Sequence, residues 1–124
     1  MSLDLAAERE WVRDILTGLD LAEAYSYLPG RTSLPAFLIL PDSPYITSGG
    51  GFGQARLHLR VAYVSRDSAN NVETGNVDAA MSAAIGAFIP KAISIDGASA
   101  PYSLTINNQP YLAADLQISY TVTL

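Results

Sequence analysis

The sequence contains no cysteine. That removes a disulfide framework, a thiolate metal site and a cysteine nucleophile. It says little about compartment, although a reducing cytosol is the simpler setting. Histidine is almost as scarce, since His58 is the only one. Charge is thin as well: charged residues make up 15% of the chain, against roughly 25% in ordinary soluble domains. Seven Lys plus Arg stand against twelve Asp plus Glu, a formal net charge of −5. Gripping nucleic acid takes clustered cations that neutralise phosphates, so a DNA- or RNA-binding role is disfavoured. No run approaches the ~18 apolar residues of a membrane helix. The first residues, Met1 to Glu10, lack the basic start and apolar middle of a signal peptide. Together these absences lead us to expect a soluble intracellular protein with no membrane partner.

What is present is apolar: 49% of 124 residues, enough for one domain, residues 1–124, with a core that needs no staples. A low-charge, apolar-rich small domain has either a large core or surface meant for burial against other subunits, and composition does not choose between them. The chain is organised around Leu34 to Val64. Ala36 to Leu40 is a short apolar run bounded by Pro35 and Pro41, which suits a buried strand. From Ala55 to Ser65 the pattern alternates. Leu57, Leu59, Val61 and Tyr63 fall on one face, and Arg56, His58 and Arg60 on the other. Between the two strands, residues 41–54 read as a long Pro-, Ser- and Gly-rich loop, where hairpins usually have two to five residues. It carries Tyr45, Ile46 and Phe52. Either these three fold back on the domain's own edge, or they wait for a partner protein.

Around this centre, Asp4 to Thr17 reads as a helix capped by Asp4, with Leu5, Val12, Ile15, Leu16 and Leu19 as its apolar stripe and Trp11 at the margin. Gly18 is expected to end it as a left-handed residue. Glu23 to Leu28 follows as a strand, closed by a Pro29-Gly30 turn, and Arg31 to Ser33 leads into the central strands. After a polar link, Ser65 to Asn71, Asn70 and Glu73 resemble a capping box for a second helix. Val77, Met81, Ala84, Ile85 and Phe88 form its face, Gly75 and Gly86 weaken it, and Pro90 stops it. Pro101 to Ile106 and Leu112 to Leu124 read as strands, with Asn107-Asn108 suited to a tight turn. One face apolar and one mostly polar describes a sheet covered on one side. The expected fold is α+β: a two-layer sandwich, a mainly antiparallel sheet packed by two helices, in the order α-β-β-β-α-β-β.

Chemistry is poorly supplied. Cations on both sides of His58 repel an imidazolium and spoil it as a carboxylate's partner. The acids are scattered without metal-like spacing, and no Asp-rich calcium loop is present. Gly49-Gly50-Gly51-Phe52-Gly53 lacks the Gly-Lys-Ser/Thr ending of a phosphate cradle and leads into a strand, so no helix terminus is there to meet an anion. We therefore expect no catalytic residues, no metal site and no cofactor. The row Arg56, His58, Arg60 is either a solvated sheet face or a contact for acidic residues of a neighbouring subunit.

The helix with Glu10-Trp11-Val12-Arg13, then Tyr25-Ser26-Tyr27-Leu28-Pro29, Pro35-Ala36 and Pro41-Asp42-Ser43-Pro44-Tyr45 come in a telling order. The Gly-rich stretch to Phe52-Gly53 follows, then Pro101-Tyr102 and Tyr111-Leu112-Ala113-Ala114-Asp115. In order and spacing, over nearly the whole chain, this layout resembles the tail terminator proteins of long-tailed bacteriophages and prophages, also called minor tail or tail-completion proteins. The resemblance implies a structural virion protein assembled in the host bacterial cytoplasm. Such a subunit forms a ring, commonly a hexamer, that caps the tail tube protein's polymer and meets the head-completion or connector proteins, with DNA in transit through its lumen. Interface residues would be Tyr45, Ile46, Phe52, Arg56, His58 and Arg60. Two other readings stay open: a neighbouring ring component such as a connector or tube subunit, and a small-ligand-binding domain or minor hydrolase with a pocket behind the Gly-rich loop.

Overall fold

In the computed structural model, which describes residues 3–27, 34–67 and 70–123, the first helix is α1, Leu5–Thr17. The Asp4 carboxylate caps it by accepting the Ala7 N–H at 3.1 Å. Val12 and Leu16 are fully buried, with Leu5, Ile15 and Leu19 packed beside them, as the stripe requires. Its exit differs from expectation. Gly18 stays right-handed, and the left-handed φ falls on Asp20 at 55°. Leu19 and Asp20 donate back to the Leu16 and Thr17 carbonyls, so the helix tightens into a final i→i+3 turn and reverses two residues later.

The strand expected at Glu23 to Leu28 is short among the described residues: β1, Glu23–Tyr25, which pairs in parallel with Ala36 to Leu38. Leu28, the Pro29-Gly30 turn, Arg31 to Ser33, Ser68 and Ala69 of the polar link, and Leu124 lie outside the described residues. The largest correction concerns residues 41–54. They are not a long loop. β2 runs Ala36–Ser48 and β3 runs Gln54–Val64, leaving a five-residue connection at 49–53. The register shifts between Pro41↔Leu59 and Ile46↔Leu57, so residues 42–45 are accommodated in a bulge. Among the described residues, no strand pairs with the outer side of β2 beyond Leu38. A free edge is where Pro41 and Pro44 fit, because their missing N–H groups break no ladder.

α2, Asn71–Phe88, begins at Asn70, whose Oδ1 accepts the Glu73 N–H at 2.8 Å. A 3₁₀ turn at Ile89–Lys91, carrying Pro90, ends it. Next comes a strand absent from the expected order: β4, Ser94–Ala98. β5, Tyr102–Ile106, and β6, Gln109–Thr123, close the chain through Asn107 and Asn108. Those two asparagines have φ of 51° and 63°, the two positive values that a tight two-residue hairpin needs.

The fold is α+β, with two helices and a six-stranded mixed sheet among the described residues. The sheet order is β1-β2-β3-β6-β4, and β5 also pairs with β6. Ala113 is partnered by both Val64 and Tyr102, so β3 lies on one side of β6 while β5 lies on the other. β4 and β5 follow one another along that other side, against Leu116 to Ser119 and Gln109 to Ala113. Val12 and Leu16 of α1 share one apolar cluster with Val77, Ala80, Met81, Ala84 and Phe88 of α2. From the sheet, the odd residues Ala55 to Tyr63 and the even residues Leu112 to Val122 join it.

Candidate interaction face and cavity

On the opposite face of the sheet, β3 presents Arg56, His58 and Arg60 and then, at Ala62 and Val64, turns apolar. The face accordingly has two ends. At the apolar end, Leu38, Ala62, Val64 and Ala113 are buried in a second cluster, ringed by half-buried Tyr25, Leu40, Tyr102, Leu104 and Tyr111. This corrects the expectation of a mostly polar face. β5 contributes its whole apolar stripe here, because Tyr102↔Ala113 and Leu104↔Tyr111 set it on this side.

The polar end is tied together within the chain. Arg56 Nε donates to Ser119 Oγ at 3.0 Å, and its Nη1 to Thr121 Oγ1 at 3.3 Å. His58 Nε2 lies 2.8 Å from Thr47 Oγ1, and its Nδ1 is 4.0 Å from Asp96 Oδ2. Arg60 differs: its Nε is buried without a hydrogen-bond partner. Beside it, the Tyr102 hydroxyl donates to Asp115 Oδ1 at 2.8 Å. Burial first, then this bond and the Asp115 charge, hold the Tyr102 proton up to about 12, against a smaller opposing pull from Arg60. The three residues therefore share one row but not one environment.

The other three expected contact residues part company. Tyr45 packs on the main core and accepts a hydrogen bond from Arg9 Nη1, so it folds back on the domain. Ile46 sits opposite Leu57 on the same side of the sheet and remains 43% exposed. Phe52 stands fully exposed at the hairpin tip. The turn beneath it is closed by Gly49 N–H to Gln54 O and Gln54 N–H to Gly51 O. Gly50 and Gly53 supply φ of 85° and 73°, which a side-chain-bearing residue takes up only with strain. The glycines thus serve the turn. The cavities beside α2, β1 and Trp11 are lined by other residues.

A feature that sequence reasoning missed lies on the helix side. A cavity of about 270 Å³ opens between the first turns of α2, the end of β3 and the residues flanking β1, and its polar lining is Tyr63, Arg66, Glu73 and Asn76. Leu21, Pro35 and Ala80 complete much of its wall. Glu73 is only 8% exposed. Its Oε1 accepts from Asn76 Nδ2 at 3.5 Å, and its Oε2 is buried with no partner. Burial, and then the Glu73 charge, push the Tyr63 phenol up, opposed by Arg66. The signal was there in part. Glu73, Val77, Ala80 and Ala84 form the buried stripe of α2, and a carboxylate heads it.

Elsewhere, Tyr120 donates to Glu8 Oε2 at 3.0 Å and meets the edge of Trp11 at a ring separation of 5.2 Å, pinning α1 to β6. Among the described residues no helix is long and apolar enough to cross a membrane, and no group of three or more His, Asp or Glu side chains is placed to hold a metal ion. The sequence matches no protein-family model, and comparison with curated proteins gives no significant match.

Proposed function

We propose that the chain is a structural subunit of a long-tailed bacteriophage or prophage particle, a tail terminator. In this reading a two-layer α+β subunit closes into a ring, commonly of six, on the end of the tail tube. The ring stops polymerisation and presents a surface to the head-completion proteins. The reading assigns no catalysis, metal or cofactor. The observation that carries it is the hairpin of β2 and β3, which lifts an unburied Phe52 clear of the domain. A phenyl ring in water is an unmet hydrophobic gain of about 1.5–3 kcal/mol, available to any partner that covers it. Among the described residues, the half-buried rim at the apolar end of the second sheet face and the outer side of β2, where no strand pairs beyond Leu38, supply further surface of the same kind. Contacts between unlike surfaces close a ring only when the rotation per subunit allows it. A net charge of −5 per subunit suits a lumen through which DNA passes without sticking, because like charge repels phosphate. A lumen lined mainly by Arg and Lys would remove that part of the reading.

The deciding experiment is mass in solution across concentration, by light scattering after size exclusion, repeated with the cognate tail tubes. A monomer or closed ring that binds tube ends and halts growth supports the terminator. Concentration-dependent polymer points to a tube subunit, and a ring that ignores tubes points to a connector. A strict monomer indifferent to both favours a ligand-binding domain, the reading to which the cavity beside Glu73 lends a specific observation.

A further inference from the structure

We propose that the cavity at the first turns of α2 binds a small zwitterion of amino-acid size, its ammonium on Glu73 and its carboxylate on Arg66. A buried carboxylate oxygen without a hydrogen bond is costly, and a native fold keeps one only for a reason. Oε2 of Glu73 is such an atom, and the other oxygen has only a long bond from Asn76. Ordinary capping does not explain it, because the cap at Asn70 uses the Glu73 backbone N–H and leaves the carboxylate out. A donor bearing positive charge is the group that meets this need best, since charge-assisted hydrogen bonds are the strong ones.

The second charge selects among cations. Arg66 lines the same cavity, yet among the described residues it has no ion pair, with Glu73 or with any other acid. Two opposite charges line the cavity without forming an ion pair, and both act on the Tyr63 hydroxyl in its wall. A plain amine would satisfy Glu73 and be repelled by Arg66. A zwitterion satisfies both. Size and lining narrow the class further. About 270 Å³ holds roughly nine non-hydrogen atoms at the ~30 Å³ that a water occupies. Leu21, Pro35 and Ala80 offer an apolar wall for a short hydrocarbon side chain. This site is independent of the ring reading, because it lies on the helix side, away from the hairpin tip and the open sheet face.

The test is a titration of the isotope-labelled full chain by two-dimensional NMR with three probes: L-leucine, n-butylammonium and butyrate. L-leucine should give saturable shifts at Asn76, Ala79 and Ala80, and each half-ligand should bind at least about tenfold more weakly, as expected when one charged contact is lost. Glu73→Gln keeps the backbone cap and should lose the L-leucine response. Ala79→Leu, which changes an exposed residue of the lining, should block entry while leaving the spectrum dispersed. Absence of saturation by L-leucine in the unmodified chain, or an equal response in Glu73→Gln, would overturn the site. Equal affinity for n-butylammonium would overturn the role of Arg66.

Discussion

The two faces of β3 make the most useful comparison in the molecule. On one, Leu57, Leu59 and Val61 are fully buried beneath the two helices. On the other, the same strand is half polar and half apolar, with no helix residue joining its cluster among the described residues. The first face is finished by the chain itself. The second has enough apolar surface to hold Leu38 and Val64 out of water, but its rim of Tyr25, Leu40, Leu104 and Tyr111 is only half covered. A domain that needed only stability would have ended this face in polar residues, as the alternation from Arg56 to Arg60 begins to do.

Truncations should separate the faces. Leu57→Ala leaves a cavity under α1 and α2 and should cost about 2–5 kcal/mol of unfolding free energy, read by urea denaturation. Leu104→Ala, on the half-buried rim of the open face, should cost about 1 kcal/mol. Equal losses would mean that the open face is as complete as the covered one. Tyr102→Phe is a finer probe, removing a bond worth about 1 kcal/mol at neutral pH. Its larger signature lies in alkali. The folded proton affinity of Tyr102 exceeds its ordinary value of 10.0 and reaches about 12, so its stabilisation is intact below pH 10 and lost as pH rises to about 12. The unmodified chain should therefore lose stability more steeply than Tyr102→Phe across that window; parallel curves would show the Asp115 contact to be unimportant. The smallest stability effect belongs to Phe52→Ala, within about 0.5 kcal/mol, because that ring is fully exposed. If the hairpin is a contact, the same change should weaken assembly in light scattering. Tyr45→Ala is a poor companion for it, since Tyr45 is part of the core and of the Arg9 contact.

Much of the fold was legible because its two main periodicities are clean. Leu57 to Tyr63 alternate, and the stripes at Val12/Leu16 and Val77/Met81/Ala84/Phe88 are those that the helices bury. Legibility failed where an edge changes the rules. Pro41 and Pro44 look like strand breakers and make the sequence pattern of β2 end at Leu40, but on an edge with no pairing strand among the described residues they break nothing. β4 escaped because Ser94-Ile95-Asp96-Gly97-Ala98 has little apolar content and a glycine; it is held by β6 and not by its own propensity. The candidate surfaces divide the same way. Phe52 could be picked out in sequence because an aromatic among glycines has nothing local to pack on. The Glu73 cavity could not, because Leu21, Pro35 and Arg66 meet it only in three dimensions.

The position of β6 has a consequence for how the molecule comes into being. Gln109–Thr123 follows β3, β4 and β5 in sequence and is the strand to which all three are joined. During synthesis from the amino terminus, β3, β4 and β5 must each wait with an open edge until this segment leaves the ribosome. A chain ending at Asn108 should therefore be protease-sensitive and captured by chaperones, and adding the fifteen residues of Gln109–Thr123 should convert it to a protected form in one cooperative step.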